Sequence, residues 1–328
     1  MASKRIFITG ASGCIGHYVA ESLIQETDHE LFFLVRNPDK IGFDYEARPG
    51  ITLIEGDLRE LHYFKDFLQS IEVAILIATS WGGMAEVYDV NVVKNLELMR
   101  SLNPEVCEQV IYFSTASILD RNNQVLRQAG QIGTDYIRSK HDCFIQLPRL
   151  EIAPKITTVF PTLVFGGEEK NKPASHLTSG LPDVSRWAKL IRWFKTDGSF
   201  HFIHGRDIAL VVKHLVENPP VYEKLPRNQL SEEQLIVLGN PPITVDEAVE
   251  EISAYLGNRI YFRIPLSKWL ADFFIKVFDI KMAAWDRFCL DYRHFTYKNV
   301  VNPARFGIEP YCSTLSQVLK LSGIRRKD

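Results

Sequence analysis

Thr9-Gly10-Ala11-Ser12-Gly13-Cys14-Ile15-Gly16 stands near the start of the chain and carries three evenly spaced glycines. An apolar run at residues 5–8 precedes it and is typical of a buried strand, and His17–Ile24 follows with helical periodicity. A strand, a glycine turn and a helix in that order form a cradle for the phosphates of a dinucleotide. The spacing is Gly-x-x-Gly-x-x-Gly rather than the commoner Gly-x-Gly-x-x-Gly, and alone it also fits an ordinary loop.

Each glycine of this stretch has its own expected task. Gly10 permits the tight turn, Gly13 lets a pyrophosphate approach the backbone, and Gly16 lets the helix pack closely on the strand. The helix N-terminus adds free N–H groups and a positive dipole end. The predicted cofactor contacts here are Gly10, Ser12, Gly13, Cys14, Ile15 and Gly16.

Composition sets outer limits on the class of protein. The 328 residues have a net charge of −2, so the composition does not indicate the strongly positive surface of a nucleic-acid-binding protein. The five cysteines are scattered, which argues against a disulfide framework or a metal site. We find no apolar run of the roughly 20 residues that a spanning helix needs. The first strand starts too early to leave room for a signal peptide. We expect a cytoplasmic protein with a small-molecule substrate.

Strand and helix patterns alternate through the first half, which predicts an α/β fold of the Rossmann type, a doubly wound parallel sheet with helices on both faces. The predicted strands are Arg5–Thr9, Glu30–Val35, Ile51–Glu55, Val73–Ala78, Gln109–Phe113 and Lys155–Phe160. The predicted helices are Gly16–Gln25, Leu61–Ser70, Met84–Ser101 and Thr134–Leu150. Ligands should then lie at the carboxyl ends of the strands.

The second half is more irregular, so we expect a dinucleotide-binding domain at 1–165 and a mostly C-terminal substrate-binding region at 166–328. Segments around 199–218 should return to the Rossmann core. Gly167–Pro182 has the composition of a long loop. Further predicted elements are helices at Val184–Phe194, Asp207–Glu217 and Thr244–Leu256, and strands at Phe200–His204 and Arg259–Arg263.

Tyr136 and Lys140 are four residues apart, so on a helix both side chains leave from one face. An ammonium beside a phenol favours the phenolate and lowers the phenol's pKa, which makes Tyr136 a candidate general acid and base. An ordinary amphipathic helix also has this spacing. The hydroxyls of Ser114–Ser117, at the end of the preceding strand, can bind the reacting oxygen or simply terminate the strand.

Together these residues resemble the extended short-chain dehydrogenases/reductases, the NAD-dependent epimerase/dehydratase family. The resemblance covers most of the chain and rests on these segments: Thr9–Gly16, Gly56–Leu58, Asn91-Val92, Phe113–Ser117, Tyr136–Lys140, Phe160–Gly166, Phe202–Ala209 and Phe306–Pro310. It implies Thr115, Tyr136 and Lys140 as the catalytic set, with Lys140 also holding the nicotinamide ribose. It further implies cofactor contacts at Asp57, Leu58, Ala78, Thr79 and Pro161, with Asn91 at a polar position on the following helix.

The end of the second predicted strand bears on cofactor choice. An acidic residue is usual there in an NAD site, whereas this chain has Arg36, and Lys40 follows about a turn later. A guanidinium suits a 2′-phosphate, although a solvated surface arginine is the alternative. We therefore expect NADP(H) rather than NAD(H).

Departures from the family pattern limit which reactions and substrates of the family fit this chain. Dehydratases of the family carry Asp and Glu after the catalytic Thr, but Ala116 and Ser117 stand here, which argues against dehydration. Phe160 and Leu163 replace an arginine and an asparagine that often flank the proline, which fits a sugar nucleotide poorly. The acidic, proline-rich stretch usual before the catalytic Tyr is replaced by residues 128–133.

Three functions remain open at this stage. The first is an NADP(H)-dependent reductase or dehydrogenase that acts on a carbonyl or secondary alcohol of a small, apolar substrate. The second is a sugar-nucleotide epimerase with transient use of bound NAD(P), and the third is a non-catalytic dinucleotide sensor.

Assembly and surface contacts are the remaining expectations. We expect a homodimer, since helices 84–101 and 134–150 commonly pair in the family and carry apolar positions such as Val87, Val90, Val93, Leu96 and Leu98. The aromatic stretch at 269–288 fits a core-facing helix, a pocket wall or a membrane-surface contact.

Overall fold

The computed structural model describes residues 2–167, 171–221, 230–266, 269 and 281–326. In this part of the chain a sheet of seven parallel strands forms the centre, in the spatial order β11-β6-β5-β4-β1-β2-β3. The Rossmann-type fold predicted from the alternating pattern is therefore confirmed. Its strands are β1 Arg5–Thr9, β2 Glu30–Val35, β3 Ile51–Glu55, β4 Val73–Leu76, β5 Gln109–Phe113, β6 Ile156–Pro161 and β11 Leu235–Leu238.

The sheet separates two apolar cores because successive side chains of a strand point to opposite faces. On β1, Phe7 belongs to one core, whereas Ile6 and Ile8 belong to the other, and all three are fully buried. The helices that follow the strands are α1 Cys14–Glu26, α2 Lys65–Leu68, α3 Met84–Tyr88, α4 Asn95–Ser101, α5 Arg127–Ile132 and α6 Asp135–Phe144. A third, smaller core lies among the C-terminal elements, for example at Leu315 and Val318.

Two segments of the second half pack on the sheet core. β11 extends the sheet beyond β6, and α8 Gly205–Glu217 packs along α1. α8 falls within the segment around 199–218 that is expected to return to the core, and the division into domains at 1–165 and 166–328 stays a prediction. The other C-terminal helices are α7 His176–Ile191, α9 Val245–Tyr255, α10 Ala284–Tyr292 and α11 Leu315–Leu321. The remaining strands are short: β7 Leu163–Phe165, β8 Phe194–Lys195, β9 Ser199–Phe200, β10 Phe202–His204, β12 Ile243–Thr244, β13 Ile264–Pro265 and β14 His294–Phe295.

Several predicted boundaries in the first half are wrong. The fourth strand ends at Leu76, not Ala78, and the helix predicted at Leu61–Ser70 is a 3₁₀ segment, Leu58–Phe64, followed by the single turn α2. The helix predicted over 84–101 is continuous but contains a π-helical stretch, Asp89–Lys94. α6 stops at Phe144, before a 3₁₀ turn at Leu147–Arg149 that contains Pro148.

The interpretation of residues 167–182 as one long loop is also wrong. α7 begins at His176 because Ser175 caps it, the Ser175 hydroxyl oxygen accepting from the Thr178 N–H at 3.1 Å, and Pro182 lies inside the helix. Residues 259–263 form no strand, and the segment predicted at Phe200–His204 divides into β9 and β10 in different sheets.

The aromatic stretch at 269–288 divides into two parts. Trp285 is buried in the main core and Phe288 packs against it, so these two rings are core residues. Residues 270–280 lie outside the described residues. Within the described chain, we find no helix that is both long and apolar enough to span a membrane.

Most of the apolar side chains on which the expected dimer rests are buried inside the single chain. Val87, Val90, Leu96 and Leu98 are buried, and of the five named side chains only Val93 is exposed. The large apolar side chains that are exposed within residues 84–101 and 134–150 are instead Met84, Tyr88, Val93 and Ile145.

Candidate active site

The carboxyl ends of the central strands border one cavity of about 700 Å³. Every residue predicted from the sequence to bind cofactor or to act in catalysis lines this cavity: Gly10, Ser12, Gly13, Cys14, Ile15, Gly16, Arg36, Asp57, Leu58, Ala78, Thr79, Thr115, Tyr136, Lys140 and Pro161. The fold thus brings segments from across the first half of the chain to one place.

The glycines of the cradle differ in what they permit. Gly10 has a φ of +78°, and a Cβ there would lie 2.6 Å from the Ala78 nitrogen, so the turn after β1 contacts the end of β4 directly. A Cβ on Gly16 would lie 2.1 Å from the Gly10 carbonyl oxygen. A Cβ on Gly13 would meet only that same oxygen, at an ordinary 3.4 Å. Gly10 and Gly16 are therefore fixed by packing, whereas Gly13 leaves its side open.

The N-terminus of α1 is built to receive an anion. Its N-cap residue, Gly13, has no side chain, no hydrogen bond from a side chain caps the helix, and its first turn carries no acidic residue. The first N–H groups of a helix have no partner within the helix, and their dipoles favour negative charge. This site fits the diphosphate of a dinucleotide.

His17 connects the cradle to the loop that follows β2. Its fully buried ring donates from Nδ1 to the Gly13 carbonyl oxygen, and its Nε2 accepts from the Gly42 N–H, both at 3.0 Å. These contacts require the neutral Nδ1–H form, and burial lowers the pKa of His17. A Cβ on Gly42 would lie 1.8 Å from the Asn171 oxygen, so this loop in turn packs on the segment before α7.

Positive charge borders the cavity at the ends of β2 and β3. Arg36 and Lys40 are exposed there and line the cavity, as does Asp57. The Asp57 carboxylate is engaged by Arg59, with an Nη2–Oδ2 distance of 2.6 Å, and this hydrogen bond lowers the pKa of Asp57, with a smaller contribution from Arg36. Arg36 and Lys40 consequently remain the charges that face a ligand here.

Tyr136, Lys140 and Thr115 come together at the end of β5. The Lys140 side chain is 2% exposed, and its Nζ donates to the Phe113 carbonyl oxygen at 2.8 Å, which ties α6 to the strand. The Thr115 side chain lies close enough to the Tyr136 phenol to favour its ionised form. Burial lowers the pKa of Lys140 to about 8 and raises the pKa of Tyr136 to about 12.

The predicted lowering of the Tyr136 pKa is therefore wrong in this structure. Desolvation of the phenol raises its pKa and outweighs the influence of Thr115, which acts in the opposite direction. The ammonium of Lys140 lies 5.9 Å from the centre of the Tyr136 ring and is itself disfavoured by burial. A phenol with this pKa is protonated throughout the neutral range and so can act as an acid.

Sequence reasoning missed Trp81, whose indole stacks on the Tyr136 ring with centroids 3.9 Å apart and planes at 17°. His176 contacts the same indole edge-on at 4.6 Å, and both residues line the cavity with Leu177. The signal for Trp81 was its position just past a strand's carboxyl end. His176 and Leu177 gave no signal, because their segment had the composition of a loop.

Asn91 holds the segment that carries Trp81. This buried amide accepts from the Thr79 hydroxyl at 3.0 Å and from the Ser80 N–H at 2.8 Å. Its Nδ2 donates to the Ser80 carbonyl oxygen at 3.1 Å and to the Ser139 hydroxyl on α6 at 3.0 Å. One side chain thus fixes the end of β4 against the helix that carries Tyr136.

The sheet order, the uncapped cradle and the Tyr136 cluster define a dinucleotide-binding protein of the Rossmann class. The chain belongs to the NAD dependent epimerase/dehydratase family, whose model matches residues 6–224. The family supports a nicotinamide dinucleotide as the cofactor.

Solved structures resemble the chain over nearly its whole length. A crystal structure of gox2253 has a TM-score of 0.67 at 16% identity, covering 99% of this chain and 100% of that one. The dTDP-glucose 4,6-dehydratase from Bacillus anthracis str. Ames, in complex with NAD, has a TM-score of 0.62 at 13% identity over 98% and 96%. The UDP-N-acetylglucosamine 4-epimerase from Methanobrevibacter ruminantium M1, in complex with UDP-N-acetylmuramic acid, has a TM-score of 0.61 at 17% identity over 99% and 98%. At these identities the likeness establishes the fold alone.

One curated relative matches a part of the chain. Quinone oxidoreductase 2 of Escherichia coli (strain K12) is 36% identical over 89 residues, which is 27% of this chain and 30% of the relative. The chain thus spans less than a third of that relative's length.

Because Gly16 and Gly13 have different surroundings, replacing each with alanine should affect a different property. The change at Gly16 should affect stability, and the change at Gly13 should affect cofactor binding. Gly16→Ala should lower the free energy of unfolding by about 1–3 kcal/mol, as overpacking does, because the methyl group would overlap the Gly10 oxygen. Gly13→Ala should unfold closer to the parent but bind NADPH more weakly, because its methyl group borders the cavity. Denaturant unfolding and NADPH titration of both variants measure this. Equal losses of stability in the two variants would contradict the packing argument.

Proposed function

We propose that the protein is an NADP(H)-dependent oxidoreductase that reduces a carbonyl, or oxidises a secondary alcohol, of a small apolar substrate. The observation that carries this proposal is the cluster of Thr115, Tyr136 and Lys140 on the wall of the cavity that also contains the phosphate cradle. A sensor needs the cradle but has no use for an acid beside it. A Tyr136 that is protonated at neutral pH, with Thr115 beside it on the cavity wall, supports proton donation to an oxygen.

The residues present fit the cofactor. The uncapped N-terminus of α1 would hold the diphosphate, with Gly13 allowing close approach. Arg36 and Lys40 would hold a 2′-phosphate, because a guanidinium and an ammonium both form charge-assisted hydrogen bonds with phosphate. When bound, the nicotinamide supplies or accepts the hydride.

The chain's own residues would bind the carbonyl oxygen of the substrate and protonate it. Thr115 holds the carbonyl oxygen by a hydrogen bond, and Tyr136 donates its proton to that oxygen as the carbonyl is reduced. Lys140, fixed by the Phe113 carbonyl, would hold the nicotinamide ribose, and it can exchange protons near neutral pH because its pKa is about 8. With the pKa of Tyr136 at about 12, reduction is favoured at neutral pH, and alcohol oxidation, which needs the phenolate, rises with pH.

A sugar-nucleotide epimerase is the second candidate, favoured by the whole-length likeness in fold to an epimerase and a dehydratase. An epimerase returns the hydride to its substrate and consumes no free cofactor. Ala116 and Ser117, where dehydratases carry an acidic pair, argue against elimination. The partial match to a quinone oxidoreductase agrees better with net reduction of a carbonyl. Net oxidation of NADPH with a carbonyl panel separates the two.

Tyr136→Phe tests the acid. The variant keeps the ring that stacks on Trp81 but loses the proton, so the turnover rate should fall by about 10²–10⁴, the contribution of a positioned acid. NADPH affinity should survive, because the cradle is untouched. Tyr261→Phe, at an exposed tyrosine outside the cavity lining, is the matched control. A Tyr136→Phe enzyme that works at the parent rate would place the acid elsewhere.

Arg36→Asp tests the choice of cofactor. NADPH binding should weaken by about 1–3 kcal/mol, the scale of a hydrogen bond to a charged group, because the new carboxylate repels the 2′-phosphate. NADH lacks that phosphate, so its affinity should be unchanged or improved and is the internal control. Titration of both cofactors by fluorescence gives the result. An unchanged NADPH affinity would show that Arg36 does not bind the 2′-phosphate.

The homodimer is tested by light scattering at micromolar concentration. We expect about twice the mass of the 37.6 kDa chain, with Tyr88, Val93 and Ile145 covered in the interface. Val93→Lys should then shift the mass toward one chain, because a lysine in an apolar interface is poorly solvated. A monomeric parent protein would rule the dimer out.

A further inference from the structure

The part of the cavity around Tyr136 has an aromatic and apolar wall. Trp81 is 56% exposed, Leu163 42% and Leu177 38%, although all three line the cavity, and His176 lies beside them. Large apolar side chains left in contact with water at the mouth of a cavity are typical of a ligand-binding surface. The exposed indole is the largest of them.

The position of Trp81 is fixed although its ring is exposed. The residue before it is held by Asn91 through two backbone hydrogen bonds, and the Ser80 hydroxyl also donates to Glu86 at 3.0 Å and accepts from the Gly82 N–H at 3.2 Å. The indole itself is oriented by stacking on the Tyr136 ring and by the edge-on contact with His176. Because the indole contacts the Tyr136 ring, a substrate ring that packs against the indole lies near that tyrosine.

Charge at this end of the cavity differs from that at the cradle end. Among the described residues that line the cavity, the lysines and arginines are Arg36, Lys40 and Lys140. The first two follow β2, and the third is buried with its Nζ donating to the Phe113 carbonyl oxygen. The described wall around Trp81 therefore presents no lysine or arginine to a substrate. A sugar nucleotide carries a diphosphate, which is normally met by such groups or by uncapped helix N-termini. The helix N-terminus in this wall, that of α7, is capped by the Ser175 hydroxyl.

We infer that Trp81 is a specificity-determining residue, whose exposed indole selects flat, uncharged aromatic or conjugated ketones and aldehydes and sets their carbonyl oxygen beside Tyr136. Stacking gives such substrates an attraction that a puckered ring of equal size lacks. This inference rests on the proposed reductase function for its chemistry, and on the geometry of Trp81 and the charge of the wall for its substrate class.

The test compares 4-nitrobenzaldehyde with cyclohexanecarboxaldehyde in the full chain. Trp81→Ala should raise KM for the aromatic aldehyde about three- to tenfold with a smaller change in kcat, the scale of an aromatic pair, and should change KM for the puckered ring less. Trp81→Phe should restore most of the preference, and NADPH affinity should stay at the parent value. Trp187→Ala, at an exposed tryptophan outside the cavity lining, should change none of these values.

The outcomes separate the two proposals. Equal changes for both aldehydes in Trp81→Ala, with NADPH still consumed, overturn the role of Trp81 and leave the reductase standing. Calorimetry of the aromatic aldehyde with NADP(+)-loaded protein reports binding without turnover. Binding that depends on Trp81 but gives no NADPH oxidation supports the role of Trp81 in binding aromatic substrates and contradicts the proposed reductase activity. A parent enzyme that neither binds nor reduces the aromatic aldehyde, or that prefers UDP-glucose, overturns the substrate class.

Discussion

The contact of α1 with the turn after β1 is the constraint on which the site depends. The Gly10 oxygen receives the Gly13 N–H and lies where a Cβ on Gly16 would be, and Gly10 itself lies against Ala78 at the end of β4. Three chain segments meet at van der Waals distance through backbone alone. Any side chain at Gly10 or Gly16 would separate them, so the direction of the helix N-terminus is a consequence of close packing.

From this contact two lines of interactions reach the rest of the cavity. His17 joins the cradle to the loop that contains Gly42, which packs on Asn171 ahead of α7. Asn91 joins the end of β4 to α6 and so to Tyr136. Both connecting side chains are neutral and fully buried, and each of their hydrogen bonds ends on a group of the protein. The cofactor end and the substrate end are in this way parts of one rigid frame.

The sequence predicted those features that depend on local pattern. The order of strands and helices followed from apolar periodicity, and the residues of the cavity followed from the rule that strand ends meet at one edge of a parallel sheet. Features that depend on distant contacts were missed. Trp81 meets Tyr136 across 55 positions of sequence, and the high pKa of Tyr136 reflects burial by several segments. Pro182 indicated a loop, but the Ser175 cap and the packing of Leu181 in the third core support a helix.

The pairing of β6 with β11 has a consequence during synthesis of the chain. All of β6 is buried, and its outer edge is covered by a strand that follows roughly seventy residues later; at about 5–20 residues per second, ribosomal synthesis of that interval takes on the order of 4–15 seconds. An uncovered apolar strand edge is a template for pairing with other chains. The nascent protein therefore passes through a period in which the buried strand β6 is the uncovered edge of its sheet. That period ends as Gln234 docks on the Ala153 and Ile156 carbonyls and β11 pairs with β6.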